Sequence, residues 1–260
     1  MDFRYVWIVW SGAFLLPWFV LWLLAPAVRS VMWRASLATM MFGLTEPLFV
    51  PEYWNPPSLL DLAQRTGFDI ESLVFSFAIG GTGTVLYDVF TRRRMAPLPV
   101  RERERSRHRW HRAALSAPVL VFLALYGLPW NPIYPAVVAL AAGAIATAFC
   151  RPDLARKTVV GGFIFLGYYA AFMLALVGFA PGYIESVWNL PQLISVRPLG
   201  IPLEELVFGF TFGMYWTSVY EHLAWRGLQH AGSARVPATS EAQPRRRAEE
   251  GRVRDFRPDR

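Results

Sequence analysis

Glu204 and Glu205 follow Pro202 where the last long apolar run of the chain begins, and Glu71 holds the matching place at the start of an earlier run. A proline at the first helical position with acids in the first turn is an ordinary helix start, because the acids meet free amides and the positive end of the helix dipole. The same acids lie at or just inside the apolar boundary, where desolvation and a neighbouring like charge would hold one of them protonated. A protonated carboxylic acid facing apolar space is what protonation of an alkene requires. At 100° per residue, Phe208, Thr211, Phe212, Tyr215 and Val219 share the face of Glu204, with Glu205 at its edge. Phe208, Phe212 and Tyr215 could line a polyene and stabilise a cation through their ring faces, or could simply pack helix on helix. Glu46, ahead of Pro47, is a secondary acid candidate that a buried arginine partner would explain equally well.

The elements that must position these groups are membrane helices. The chain has 260 residues, of which 54% are hydrophobic and 17% charged, too apolar for an ordinary soluble domain. With about 20 apolar residues needed per crossing, seven spans are expected: Tyr5–Pro26, Val31–Val50, Ile70–Phe90, Ala113–Pro129, Ile133–Cys150, Thr158–Ala180 and Leu203–Trp225. A secretory signal is the alternative for the first span, but its apolar stretch is long and its leading segment is not distinctly basic. With the N-terminus outside, 23 of the 26 Lys and Arg residues fall on the cytoplasmic side. That split predicts a multi-pass protein of the cell membrane with a cytoplasmic C-terminus.

An internal repeat organises the spans. Tyr53-Trp54-Asn55 and the later Glu71-Ser72-Leu73-Val74-Phe75 match Val187-Trp188-Asn189 and Glu204-Glu205-Leu206-Val207-Phe208. Gly80 then meets Gly213, Tyr87 meets Tyr220, and Asp88 meets Glu221. The expected fold is therefore an all-α membrane protein with two parallel three-helix repeats. Residues 1–91 form the first repeat, 92–112 a basic cytoplasmic loop, 113–129 a linker helix, 130–225 the second repeat, and 226–260 a basic disordered tail. Gly80, Gly81 and Gly83 are expected at close helix contacts.

The arginine clusters of the loop and tail read as cytoplasmic anchors attracted to anionic lipid, with no nucleic-acid partner. His108 and His111 read as solvated loop positions, and Cys150, the single cysteine, allows neither a disulfide nor a cysteine metal site within one chain. No metal or cofactor is expected, and homo-oligomerisation is left open. Retinal Schiff-base chemistry is set aside because the only lysine, Lys157, falls in a short cytoplasmic loop. Prenyl transfer would want an aspartate-rich magnesium motif, and none is present.

The segment Gly200-Ile201-Pro202-Leu203-Glu204-Glu205-Leu206-Val207-Phe208, within a tandem repeat of three-helix units, resembles the membrane lycopene cyclase domain. That is the cofactor-free type found as paired small subunits in bacteria and as fused forms in fungi and archaea. The resemblance implies a hydrophobic polyene substrate and an acid, Glu204 or Glu205, that starts cyclisation of the open end of lycopene to a β-type ring without net redox change. The first repeat departs from the pattern, with Asp69 in the place of the proline and Ser72 in that of the second acid. The loop tryptophans are followed by Asn55 and Asn189 where an acid is expected. The competing reading is a non-catalytic multi-pass protein that binds a carotenoid or lipid, or serves a membrane complex or transport.

Overall fold

The computed structural model describes residues 3–230, which are almost entirely helical. Helices α1 (Val6–Ala13) and α2 (Leu15–Leu24) are separated only by Phe14. A short turn opened by Pro26 leads into α3 (Arg29–Met40). A loop carrying the short α4 (Leu62–Thr66) precedes the 22-residue α5 (Ile70–Thr91). Strand β1 (Arg93–Pro97), the single turn α6 (Val100–Arg103) and α7 (His111–Tyr126) follow. The remainder is α8 (Ile133–Cys150), α9 (Ala155–Phe179), the short α10 (Tyr183–Val187), the 22-residue α11 (Leu203–Ala224) and strand β2 (Arg226–His230).

Among the described residues, four segments are long and apolar enough to cross a membrane: Val6–Leu24, Ile70–Thr91, Ile133–Cys150 and Pro152–Phe179. The expected second span, Val31–Val50, is not one α-helix. After Met40 the chain tightens into a 3-10 helix over Met41–Leu48 with Pro47 inside it, and a proline cannot donate to the α-helical ladder. The fourth expected span is the 16-residue α7, also with a proline, Pro118, inside. Large apolar side chains such as Leu16, Phe19, Leu120, Leu123, Phe149 and Phe163 stand exposed, as they do in a protein whose solvent is lipid. The first span is packed into the rest, with Phe14 only 1% exposed and Trp18 Nε1 donating to Ser36 Oγ at 2.8 Å.

Close helix approach explains the glycines. A Cβ at Gly80 would lie 2.0 Å from Thr39 Oγ1, so α3 and α5 touch backbone to side chain there. At Gly213 it would lie 2.5 Å from Phe165 Cβ, in the crossing of α9 and α11.

Two further features tie distant parts of the chain together. At one end of the molecule, Trp54 and Trp188 form an antiparallel bridge, flanked by Asn55 N–H donating to Val187 O at 2.8 Å and Asn189 N–H donating to Tyr53 O at 2.9 Å. At the opposite end β1 and β2 pair antiparallel, with Met95 facing Leu228 at the centre. Both strands come from segments expected to lack regular structure. The rest of the basic tail, from residue 231, lies outside the described residues.

The arginine-rich end also holds two corrections. Lys157 is not in a loop; it sits in the first turn of α9, 1% exposed. Its Nζ donates to Asp88 Oδ1 at 2.9 Å and to Glu221 Oε1, so the ends of α5 and α11 share one buried cation. His108 is likewise not solvated. It is 7% exposed, and both His108 and His111 lie against the Cys150 sulfur.

Candidate active site

The starts of α5 and α11 each bury acids. In α11 no side chain caps the helix, and Pro202, at φ −54°, sets the entry. Glu204 is 3% and Glu205 4% exposed. Both Glu205 oxygens are occupied: Oε2 accepts from the Tyr169 hydroxyl at 2.6 Å, and Oε1 accepts from Trp188 Nε1 at 2.8 Å and from the Tyr53 hydroxyl. These donors come from α9, from the loop after α10, and from the loop before α4. Three donors on one carboxyl fix its orientation.

Glu204 is held differently. Its Oε1 accepts from the Tyr134 hydroxyl of α8 at 2.8 Å and from the Ile194 amide at 2.7 Å, while the buried Oε2 has no partner. Glu71 repeats half of that pattern. Its Oε1 accepts from the Leu59 amide at 2.6 Å, and its buried Oε2 has no partner. Each of these two acids therefore ties down the loop that precedes its helix and keeps one oxygen uncommitted.

At the start of α5 the next position is Ser72, so no counterpart of Glu205 exists there. Asp69 caps the helix instead, accepting from the Ser72 amide at 2.6 Å and from Trp7 Nε1 at 3.1 Å. Glu46 joins this cluster through Oε2, which accepts from the Asp69 amide at 2.8 Å. Its partner is thus a backbone amide and not the arginine that the sequence suggested as an alternative.

The aromatic residues expected to line a polyene are linked ring to ring, Phe208 to Phe212 and, through Trp216, to Tyr215. Phe208 packs edge-on to Tyr169 at 5.7 Å and tilted against Phe212 at 5.6 Å. Phe212 then meets Phe165 at 4.9 Å. These rings run from the Glu205 cluster into the interface with α9. Tyr215 turns to α8, where its ring fills the space that a side chain at Gly143 would need.

Two crevices open near the end of α9. One is lined by Tyr5, Val6, Val9, Trp10, Leu176 and Phe179, the other by Val177, Ala180, Pro181, Ile184 and Glu185 among others. Neither reaches Glu71, Glu204 or Glu205.

Sequence reasoning found the three glutamates but missed the groups that hold them. Tyr53 and Trp188 were visible as members of the matched loop segments, and their pairing with Glu205 needed only the question of what a buried acid would bind. Tyr134 and Tyr169 carried no such signal, being two tyrosines among ten in apolar helices.

Residues 131–223 match the family model described as Lycopene cyclase, a stretch that runs from just before α8 to the last turn of α11 and contains both Glu204 and Glu205. No curated protein and no solved structure gives a significant match to the chain. The likeness to that family covers residues 131–223, less than half of the chain.

Proposed function

We propose that this protein cyclises the open end group of a linear carotenoid, lycopene to a β-ring product, by acid-initiated chemistry inside the membrane. The observation that carries the reading is the pair of buried acids opening α11 within the lycopene cyclase segment, one with an uncommitted oxygen and one gripped by three donors. Glu204 delivers a proton from Oε2 to the terminal alkene, whose π electrons form the new C–H bond. The neighbouring alkene closes the six-membered ring onto the resulting cation. Loss of a ring proton to the Glu205 carboxylate restores a double bond; after the product leaves, Glu205 gives up that proton and Glu204 takes one by exchange with water, so substrate and product have the same composition and no oxidant or reductant is consumed. Phe208, Phe212 and the Tyr169 ring offer faces to the intermediate cation. Exclusion of water matters because a captured cation would give an alcohol and not a ring.

The architecture that goes with this reading is seven spans in two parallel three-helix repeats joined by α7. Several features support it. Helices α5 and α11 have equal length, and each ends on a left-handed residue, Arg92 at φ 52° and Trp225 at φ 53°, directly before a strand. The reciprocal hydrogen bonds around Trp54 and Trp188, and the β1–β2 ladder at the other end, are what a two-fold axis along the bundle would produce. The α3 helix with its 3-10 extension reaches about 34 Å at ~1.5 and ~2.0 Å per residue, enough for one crossing. Segments 92–112, 151–157 and 226–230 meet at one end, so the bulk of the basic charge shares one face; we assign that face to the cytoplasm of a cell-membrane protein.

The second reading, a non-catalytic carotenoid- or lipid-binding protein or a component of a complex or transport system, is favoured by one observation. Glu71 and Glu204 each secure a loop amide, a structural duty that needs no chemistry. Expression in a bacterial host that accumulates lycopene separates the two. The cyclase gives a product of unchanged mass and shifted spectrum that disappears in a Glu204→Gln, Glu205→Gln double variant. Unchanged lycopene, retained equally by both chains, would establish the binding protein.

A further inference from the structure

The arginine-rich end of the molecule brings together three groups that the cyclase chemistry does not use. His108 lies in a 3-10 turn over Ser106–Trp110, and His111 opens α7, three residues later and on the same side of the chain. Cys150 is the last residue of α8 and is buried. Its sulfur lies 3.5 Å from His108 Nδ1 and 3.6 Å from His111 Nδ1. All three donor atoms lie within 4.8 Å of one another.

These separations match a tetrahedral zinc site. With Zn–S about 2.3 Å and Zn–N about 2.0–2.1 Å, the edge between a thiolate and an imidazole nitrogen is about 3.5–3.6 Å. A thiol can also bridge two imidazoles by accepting from one and donating to the other, and a thiolate-to-cobalt charge-transfer band separates that arrangement from a metal site.

A fourth group stands beside them. His222, in the last turn of α11, is fully buried, its Nδ1 is 3.2 Å from Thr147 Oγ1, and its buried Nε2 has no partner. Its ring centroid is 4.5 Å from that of His111. Trp225 walls the cluster, stacked on His111 at 4.0 Å and edge-on to His108 at 5.0 Å.

We propose that His108, His111 and Cys150 bind a divalent zinc-class cation, with solvent in the fourth position and the His222 ring beside it. Binding releases the Cys150 thiol proton to solvent. One adjustment is required. Arg107 Nε donates to His108 Nε2 at 3.3 Å, which keeps the proton on Nδ1. Metal at Nδ1 shifts that proton to Nε2, so Arg107 must turn away, and its side chain, 34% exposed and already paired with Glu102, is free to do so. The ion would staple the segment before α7 to the end of α8. That is a structural role at the face opposite the acids, and it stands or falls independently of the cyclase reading.

The test uses the full chain purified in detergent through a tag without histidines. The proposal expects about one zinc per chain, a thiolate-to-cobalt charge-transfer band on exchange with cobalt, and a lower unfolding temperature after chelation that zinc restores. The band disappears in Cys150→Ser, zinc falls to background in a His108→Ala, His111→Ala double variant, and Arg107→Ala binds at least as tightly as the parent. The wild-type measurements need no variant to fold. Absence of both zinc and the cobalt band from the folded wild-type chain overturns the proposal, as does a cobalt band unchanged by Cys150→Ser.

Discussion

At the start of α5, Asp69 caps the helix, Glu71 takes the Leu59 amide, and Ser72 fills the next position. At the start of α11, Pro202, Glu204 and Glu205 stand in those places, and Glu205 gathers Tyr53, Tyr169 and Trp188 around it. The far ends of the same two helices are alike, since Asp88 and Glu221 share Lys157. About 25 Å of helix separates the two ends. Likeness at the basic end and difference at the acid end separate two duties: a common buried ion cluster holds α5, α9 and α11 together, while one helix start carries two adjacent acids, Glu204 and Glu205, and the other has Ser72 beside Glu71.

The strongest test of this difference is Glu205→Gln, expected to cost about 10²–10⁴-fold in ring formation by membranes supplied with lycopene, whereas Ser72→Ala leaves the rate within a few-fold of the parent. Equal losses would make the two helix starts equivalent. At the opposite end, Lys157→Met strands two buried carboxyl groups and should destabilise the chain by about 3–5 kcal/mol, read as a fall in unfolding temperature in detergent. Adding Asp88→Asn and Glu221→Gln should recover much of the loss. A stable Lys157→Met chain would mean that the cluster does not hold the helices.

Smaller effects sharpen the picture. Tyr53→Phe, Tyr169→Phe and Trp188→Phe each remove one donor to Glu205, at about 1.5–3 kcal/mol, which is about tenfold or more in rate where the donor acts on the transition state. The smallest change is expected for Glu71→Gln, about 1 kcal/mol of stability with ring formation retained. A dead Glu71→Gln enzyme with intact folding would place chemistry at α5 as well.

Much of the arrangement was legible because its signals are periodic or compositional. The long apolar runs at α5, α8 and α9 and the Pro202-x-Glu204-Glu205 start of α11 all came from the sequence. The break at Met40 did not, because a switch from α to 3-10 geometry leaves the apolar pattern of residues 31–50 nearly unchanged. Lys157 was misread because it follows an Arg-Pro-Asp turn and reads as a loop, while its two partners lie 69 and 64 residues away. The convergence of His108, His111 and Cys150 was hidden for the same reason: a contact between a basic loop and the end of a helix 39–42 residues later has no local signature. Buried polar contacts between distant segments are set by tertiary packing, and a single sequence carries them only as isolated residues.

A cyclase of the proposed kind protonates its substrate from a carboxylic acid in exchange with water. Membranes containing the protein, supplied with unlabelled lycopene in D2O, test it directly. The account predicts that every ring formed carries one deuterium from solvent, that the Glu204→Gln variant forms none, and that the remaining open ends are unlabelled. Rings that form without solvent deuterium, or that form equally in the Glu204→Gln chain, would contradict it.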